Sequence, residues 1–354
     1  MHVDQLETPV AVVDIDKLAA NIQRLQTYLD KHGIANRPHI KTHKIPAIAH
    51  MQVAAGAVGV TVQKLGEAEV MAAAGIDDLF LPYNILGEAK LERLMHLTRR
   101  VRISVTADSA TTVMGLAQAA QREGTQLPVL VEFDTGTGRC GVQTPAEAAE
   151  LARTIASHDS LNFAGLMTYP SNENTDPFVV AVKQQLAPHG LQVDIVSGGG
   201  SPGMWSAHKH AEVTEHRAGT YIYGDRSMVN TGVLTQEQVS FHVIATVVSR
   251  PTSDRAILDT GSKALTSDKA RRADGYGLIL EYPDAAIFNL SEEHGWVDLS
   301  ACARNRRFGE RVTILVNHCC VVNNMFNQIV GLRNGEVEVV RPVAARWPVD
   351  LVSR

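Results

Sequence analysis

Two lysines, two histidines and an arginine fall within one short stretch, Arg37-Pro38-His39-Ile40-Lys41-Thr42-His43-Lys44. Such a stretch suits an amine nucleophile: a lysine at the end of a barrel strand, joined to an aldehyde cofactor as a Schiff base. That lysine needs a lowered pKa, which neighbouring cations and desolvation supply. The same residues would also make a basic surface loop after a helix. A second candidate is Ser197-Gly198-Gly199-Gly200-Ser201-Pro202-Gly203. Glycines let backbone N–H groups approach an anion and hydroxyls add donors; the plain alternative is a flexible loop. A third is Asn317-His318-Cys319-Cys320. On an extended segment, residues two apart share a face, so His318 and Cys320 could grip one ion while Cys319 points away. The alternative is a buried thiol beside a core histidine.

The elements that would position these residues follow a regular beat. Pro9-Val10-Ala11-Val12-Val13-Asp14 reads as a short strand ending in a helix N-cap. Leu18, Ile22, Leu25 and Leu29 then mark one face of a helix that stops at Gly33. Strands are expected near residues 59–62, 79–82, 101–106, 128–133, 163–168, 193–197 and 218–223. With the one before Lys41 they make eight, separated by Ala- and Leu-rich helical stretches. Strands alternating with helices imply right-handed βαβ units and a parallel sheet. Eight of them fit a (β/α)8 TIM barrel. A doubly wound open sheet is the rival, but no Gly-x-Gly-x-x-Gly opens the first helix. After about residue 236 the helical periodicity fades. Strands near 239–250, 255–259, 311–316, 328–332 and 337–340 indicate a C-terminal, mostly-β domain. The expected division is 8–235 for the barrel and 236–354 for the β domain, with the strand at 8–13 open to either.

Composition narrows the classes further. The chain has 354 residues, 45% hydrophobic and 20% charged, as in ordinary globular proteins. A formal net charge of −5 with scattered basic residues leaves no nucleic-acid footprint. No apolar run is long enough to span a membrane, and the first residues do not read as a signal peptide. Four cysteines, two of them adjacent at 319 and 320, are no disulfide scaffold and point to a reduced, cytoplasmic setting.

In a (β/α)8 barrel the chemistry sits at the C-terminal strand ends. The expected strand ends carry Lys41, Gln63-Lys64, Asn84, Thr106, residues 134–139, Tyr169, residues 197–201, Arg217 and Gly219-Thr220. The glycine loop with Gly200 and Ser201 follows the seventh strand, where barrel phosphate sites are common.

Taken in order, these stretches are similar to the D-threonine aldolase and D-serine dehydratase family of fold-type III, alanine-racemase-like pyridoxal-phosphate (PLP) enzymes. The matching segments are Arg37 to Lys44, Gln63-Lys64 with Glu67-Ala68-Glu69, Gly138-Arg139-Cys140-Gly141-Val142, Ser197 to Ser201 and Arg217 to Asp225. Asp259 to Ala264, Ser291 to Gly295 and Asn317 to Cys320 complete the set. The resemblance implies that Lys41 forms the Schiff base and that Ser201, Gly219 and Thr220 hold the phosphate. It also places Tyr169 over the cofactor, Arg217 at the pyridine nitrogen and Arg139 near the phenolic oxygen or the lysine. Many aldolases of the family carry glutamine where Arg217 stands. For Arg139 and Arg217 a structural salt bridge is the plain alternative.

The family uses the position of His318 and Cys320 for a divalent metal, and a thiolate favours zinc over manganese or magnesium. His294, in Ser291-Glu292-Glu293-His294-Gly295, could be a general base, a residue of the metal's surroundings, or part of a structural turn. Loops near 171–176 and 268–274 are expected to touch substrate. The implied activity is metal-assisted retro-aldol cleavage of β-hydroxy-D-amino acids to glycine and an aldehyde. A D-serine or 3-hydroxy-D-aspartate dehydratase, and a non-catalytic PLP-homeostasis protein, are the alternatives. The resemblance also implies a homodimer and a small D-amino acid substrate, with no nucleic-acid or membrane partner.

Overall fold

The computed structural model describes residues 1–302 and 309–346. The chain divides into two compact units. One comprises Arg24–Lys41, Pro46–Gly219 and, at the end of the described chain, Ala345 and Arg346; the other comprises Met1–Gln23, Thr42–Ile45 and the described residues of Thr220–Ala344.

The first unit holds an eight-stranded parallel sheet in the order Ala35–Asn36, Glu215–Arg217, Ile195–Gly199, Leu161–Met167, Leu127–Glu132, Arg102–Ala107, Asp78–Leu81 and Val60–Thr61. A parallel bridge between His39 and Thr61, with Thr61 N–H donating to Pro38 O at 2.8 Å, joins the two ends and closes the ring. Helices such as Ala110–Glu123 and Pro145–Ala156 connect successive strands. Their local signals are plain: Ser109 caps the first through the Thr112 N–H, and Thr144 with Glu147 forms a capping box on the second. Fully buried Val105, Val129, Val131, Leu166 and Val196 fill the barrel core against Leu116, Ala148 and Val182 of the helices.

The second unit is a nine-stranded sheet. Its order is Arg255–Leu258, Gly295–Asp298, Ala286–Leu290, Leu278–Ile279, Arg311–Leu315, Phe241–Thr252, Val10–Asp14, Gln328–Arg333 and Glu336–Pro342. Arg255–Leu258 pairs also with Phe241–Thr252, so six strands close into an antiparallel barrel. Val10–Asp14 pairs antiparallel with Phe241–Thr252 and parallel with Gln328–Arg333. Asp14 then starts the helix Ile15–Lys31 by accepting the Lys17 N–H at 3.0 Å, and Gly33, with φ +66°, follows its end. Leu18, Ile22, Leu25 and Leu29 form its buried face.

The alanine-racemase-like architecture expected from sequence is therefore the one observed, with three local corrections. The last barrel strand is Glu215–Arg217, not residues 218–223, which instead lead into a 3-10 turn at Thr220–Ile222. Three consecutive ionisable residues do not look like a buried strand, yet all three are buried: Glu215 pairs with Arg37, burial keeps His216 neutral, and Arg217 donates to Ser197 Oγ and Thr168 O. Lys41 stands on a 3-10 turn, Ile40–Thr42, beyond a strand of only two residues. In the β unit, Leu278–Ile279, Ala286–Leu290 and Gly295–Asp298 were not foreseen; they are short, and their exposed positions blur the alternation.

Candidate active site

In the barrel unit, Lys41 is half-buried and its backbone N–H donates to His39 Nδ1 at 3.4 Å. His39 Nε2 lies 3.1 Å from Gln63 Oε1. With Nδ1 accepting, Nε2 carries the proton and donates to Gln63. Burial pushes the His39 pKa well below its ordinary value, and the charges of Lys41 and Arg217 push the same way. His39 is therefore a neutral imidazole.

Arg217 ends the last barrel strand with its guanidinium inside. Its Nη1 donates to Ser197 Oγ at 2.6 Å and its Nη2 to Thr168 O at 2.8 Å. Ser197 in turn donates to Glu215 Oε1 at 2.5 Å, and Glu215 Oε2 accepts from Arg37 Nε at 2.6 Å. Arg37 also pairs with Asp78. Among the described residues no carboxylate lies within ion-pair distance of Arg217, so the salt-bridge reading does not hold there. Burial lowers its pKa to about 10, against the pull of Glu215 and Glu132. A buried cation held by neutral acceptors is costly unless a further polar group meets it.

Arg139 is exposed, 4.0 Å from Glu132 Oε1, and its guanidinium carbon sits 5.0 Å from the Tyr169 ring centroid. Glu132 is buried, which raises its pKa to about 7 although Arg139 opposes the shift. Tyr169 rests on Gly200: a Cβ at Gly200, where φ is +121°, would come 3.1 Å from Tyr169 Cε2. Ser201 Oγ accepts the Gly219 N–H at 3.1 Å, bringing together the two loops expected to bind phosphate.

These residues fit PLP. A half-buried lysine, a buried guanidinium with no carboxylate partner and a glycine loop beside Ser201 and Gly219 match its aldehyde, ring nitrogen and phosphate. A cradle at Gly200 that a Cβ would narrow seats the aromatic ring.

The second cluster lies in the β unit. His318 caps the short helix Cys319–Met325, so Cys320 is not on an extended segment as the sequence suggested. The turn from strand into helix still directs both side chains together. His318 is pushed up to about 9, by its contact with Cys320 first, against burial and with Asp268 and Asp225 adding to the rise. Cys320 is held well below the usual thiol range by Cys319 first, then by His318 and Thr42 against burial. Thr42 Oγ1 lies 3.2 Å and Thr220 Oγ1 3.6 Å from Cys320 Sγ. The Thr220 hydroxyl, expected at the phosphate, thus points to sulfur.

Cys319 is fully buried, its N–H donating to Asp225 Oδ2 at 3.3 Å. Asp225 also accepts the Met228 N–H at 2.9 Å. Among the described residues no group of three or more His, Cys, Asp or Glu side chains is arranged to hold a metal. An imidazole and a thiolate fit a divalent ion as a two-residue site that leaves positions open, with zinc favoured by the donor set.

His294 lies on the exposed turn between Ala286–Leu290 and Gly295–Asp298, where its carbonyl accepts the Ser291 N–H at 2.9 Å. Among the described contacts none joins its ring to His318 or Cys320. Sequence reasoning passed over Thr42, Glu132 and Asp268. Thr42 stood beside the marked lysine, and Asp268 lay in a loop expected to touch substrate. Glu132 lay inside the strand expected at 128–133.

A closed parallel barrel bearing such a lysine, joined to an antiparallel β barrel, defines the alanine-racemase-like class. The comparisons narrow it. A family described as "Alanine racemase, N-terminal domain" matches residues 13–227, and one described as "Putative serine dehydratase domain" matches residues 240–332. A D-threonine aldolase of Arthrobacter sp is 33% identical over 97% of this chain and 93% of its own. The crystal structure of D-threonine aldolase from Filomicrobium marinum superposes with a TM-score of 0.90 at 29% identity, covering 97% of this chain and 96% of that one. A D-threo-3-hydroxyaspartate dehydratase is known as a histidine-to-alanine mutant and as a cysteine-to-alanine mutant in the metal-free form. Both have a TM-score of 0.88 and 28% identity, covering 97% of this chain and 96% and 98% of theirs. The chain belongs to the PLP-dependent D-threonine aldolase and D-serine dehydratase family of lyases.

Proposed function

We propose that the protein is a PLP- and divalent-metal-dependent lyase that cleaves β-hydroxy-D-amino acids to glycine and an aldehyde. The observation that carries this reading is the contact of His318 with Cys320 in a chain whose barrel presents Lys41. When bound, PLP supplies a sink for charge developing at Cα, and the metal supplies Lewis acidity at the β-hydroxyl. Lys41 Nζ would hold the cofactor's aldehyde carbon. Ser201 and Gly219 would anchor the phosphate, Tyr169 would orient the ring, and Arg217 would donate to the ring nitrogen and keep it unprotonated. His318 and Cys320 would hold the ion, leaving room for the substrate hydroxyl.

Removal of the hydroxyl proton with rupture of Cα–Cβ gives glycine and an aldehyde. Removal of the Cα proton followed by loss of hydroxide gives, after hydrolysis, a 2-oxo acid and ammonia. Two features favour this second course: a thiol at position 320 and an arginine at 217, where many aldolases have other residues. Product analysis with D-threonine, D-serine and D-threo-3-hydroxyaspartate separates the two. Glycine from D-threonine supports the aldolase; a 2-oxo acid and ammonia as the sole products assign the dehydratase. The reading includes a homodimer, and fully active monomer in light scattering would overturn that part.

A further inference from the structure

His318 has two polar neighbours, Cys320 and Asp268. It meets Cys320, and its Nδ1 lies 2.9 Å from Asp268 Oδ2. Among the described ion pairs His318 is the only partner of Asp268, and the neighbouring Lys269 is turned over the Tyr276 ring, 3.4 Å from its centroid. The loop that carries Asp268 is fastened to the strand end that carries His318. Asn317 Nδ2 donates to Asp268 O and to Gly275 O, both at 2.9 Å, and the Asp268 N–H donates to Thr266 Oγ1 at 3.3 Å. A carboxylate on Nδ1 keeps the proton there, leaves the Nε2 lone pair for a ligand, fixes the ring's rotation and raises its basicity.

We propose that Asp268 is the positioning residue of the His318/Cys320 centre, selecting the Nε2-ligating form of His318 and holding its ring toward the ion. The proposal rests on the metal reading above. With only two protein ligands, loss of the fixed tautomer has no third side chain to compensate it.

The test is zinc affinity, measured by competition with a chromogenic chelator on PLP-loaded, metal-stripped protein. The variants are wild type, Asp268→Ala, Asp268→Asn and His318→Ala. Wild type should bind tightly and His318→Ala should lose the site. Asp268→Ala should bind about 10- to 100-fold more weakly, with Asp268→Asn, which keeps an acceptor oxygen without charge, in between. Substitution with cobalt gives a second readout. The thiolate charge-transfer band should persist in both Asp268 variants while the ligand-field bands change. A merely structural role would lower thermal stability and leave zinc affinity and the cobalt spectrum unchanged. Affinity within twofold of wild type in both Asp268 variants overturns the proposal. Equal affinity in wild type and His318→Ala would instead remove the metal reading, and the role of Asp268 with it.

Discussion

Thr42 Oγ1 lies 3.2 Å from Cys320 Sγ, and one peptide bond separates Thr42 from Lys41. The residue that follows the barrel's lysine thus takes part in setting the state of the β unit's thiol. Its hydroxyl adds to the effect of Cys319 and His318 in holding Cys320 well below the ordinary thiol range. In chelator-treated enzyme, Cys320 should be alkylated by iodoacetamide ahead of buried Cys319. Thr42→Val should slow that reaction by about 3- to 10-fold, the worth of one ordinary hydrogen bond. Mapping the modified peptides, with exposed Cys140 as an internal reference, reads the rate. An unchanged rate would show that the Thr42 hydroxyl contributes nothing to the thiolate.

Gly200 adopts φ +121°, where side chains are strained, and the ring of Tyr169 lies where its Cβ would come. Gly200→Ala should cost about 1–3 kcal/mol in stability and displace Tyr169. Retained PLP, read from visible absorbance after gel filtration, should fall. A variant that keeps full cofactor and wild-type melting would remove Gly200 from the cradle.

Glu132 gives stability a pH dependence of definite sign. Burial raises its pKa from 4.5 to about 7. Between those values the folded chain holds a proton that the unfolded chain has released, so stability falls as pH rises through the window and stays lower above it. Glu132→Gln removes the penalty. Thermal melts should show it more stable than wild type at pH 8, by at most on the order of 3 kcal/mol, and about equal at pH 4.5. The reverse pattern would mean that the carboxylate is stabilised in the fold, by Arg139 foremost.

Arg217→Gln removes the buried cation. Because Arg217 would keep the ring nitrogen unprotonated, its loss should change the ratio of glycine to 2-oxo acid formed, by about tenfold for each 1.4 kcal/mol between the two barriers. An unchanged ratio would show that the residue does not select the reaction course.

The barrel was legible because its strands and helices alternate in hydrophobic pattern, and Leu18, Ile22, Leu25 and Leu29 lie buried on one helix face as their spacing requires. The last barrel strand was not, because Glu215 and Arg217 find their hydrogen-bond partners, Arg37 and Ser197, only through the fold. At the site, types and spacing marked the stretch from Arg37 to Lys44, the loop from Ser197 to Gly203 and the pair His318 and Cys320, and the family resemblance singled out Lys41 and Ser201. They could not reveal that His39 is neutral, because that follows from its burial and from the charges of Lys41 and Arg217 around it. Asp268 was invisible for a similar reason. It stands 50 residues from His318 in the chain, and no local pattern links the two.

The most direct test of the account is the rate of glycine and acetaldehyde formation from D-threonine before and after metal removal. The enzyme should stop when treated with chelator, recover with zinc or manganese, and stay inactive as His318→Ala or Lys41→Ala under every condition. Cleavage that continues at the wild-type rate in metal-stripped enzyme would contradict the account and leave His318 and Cys320 without a role in the reaction.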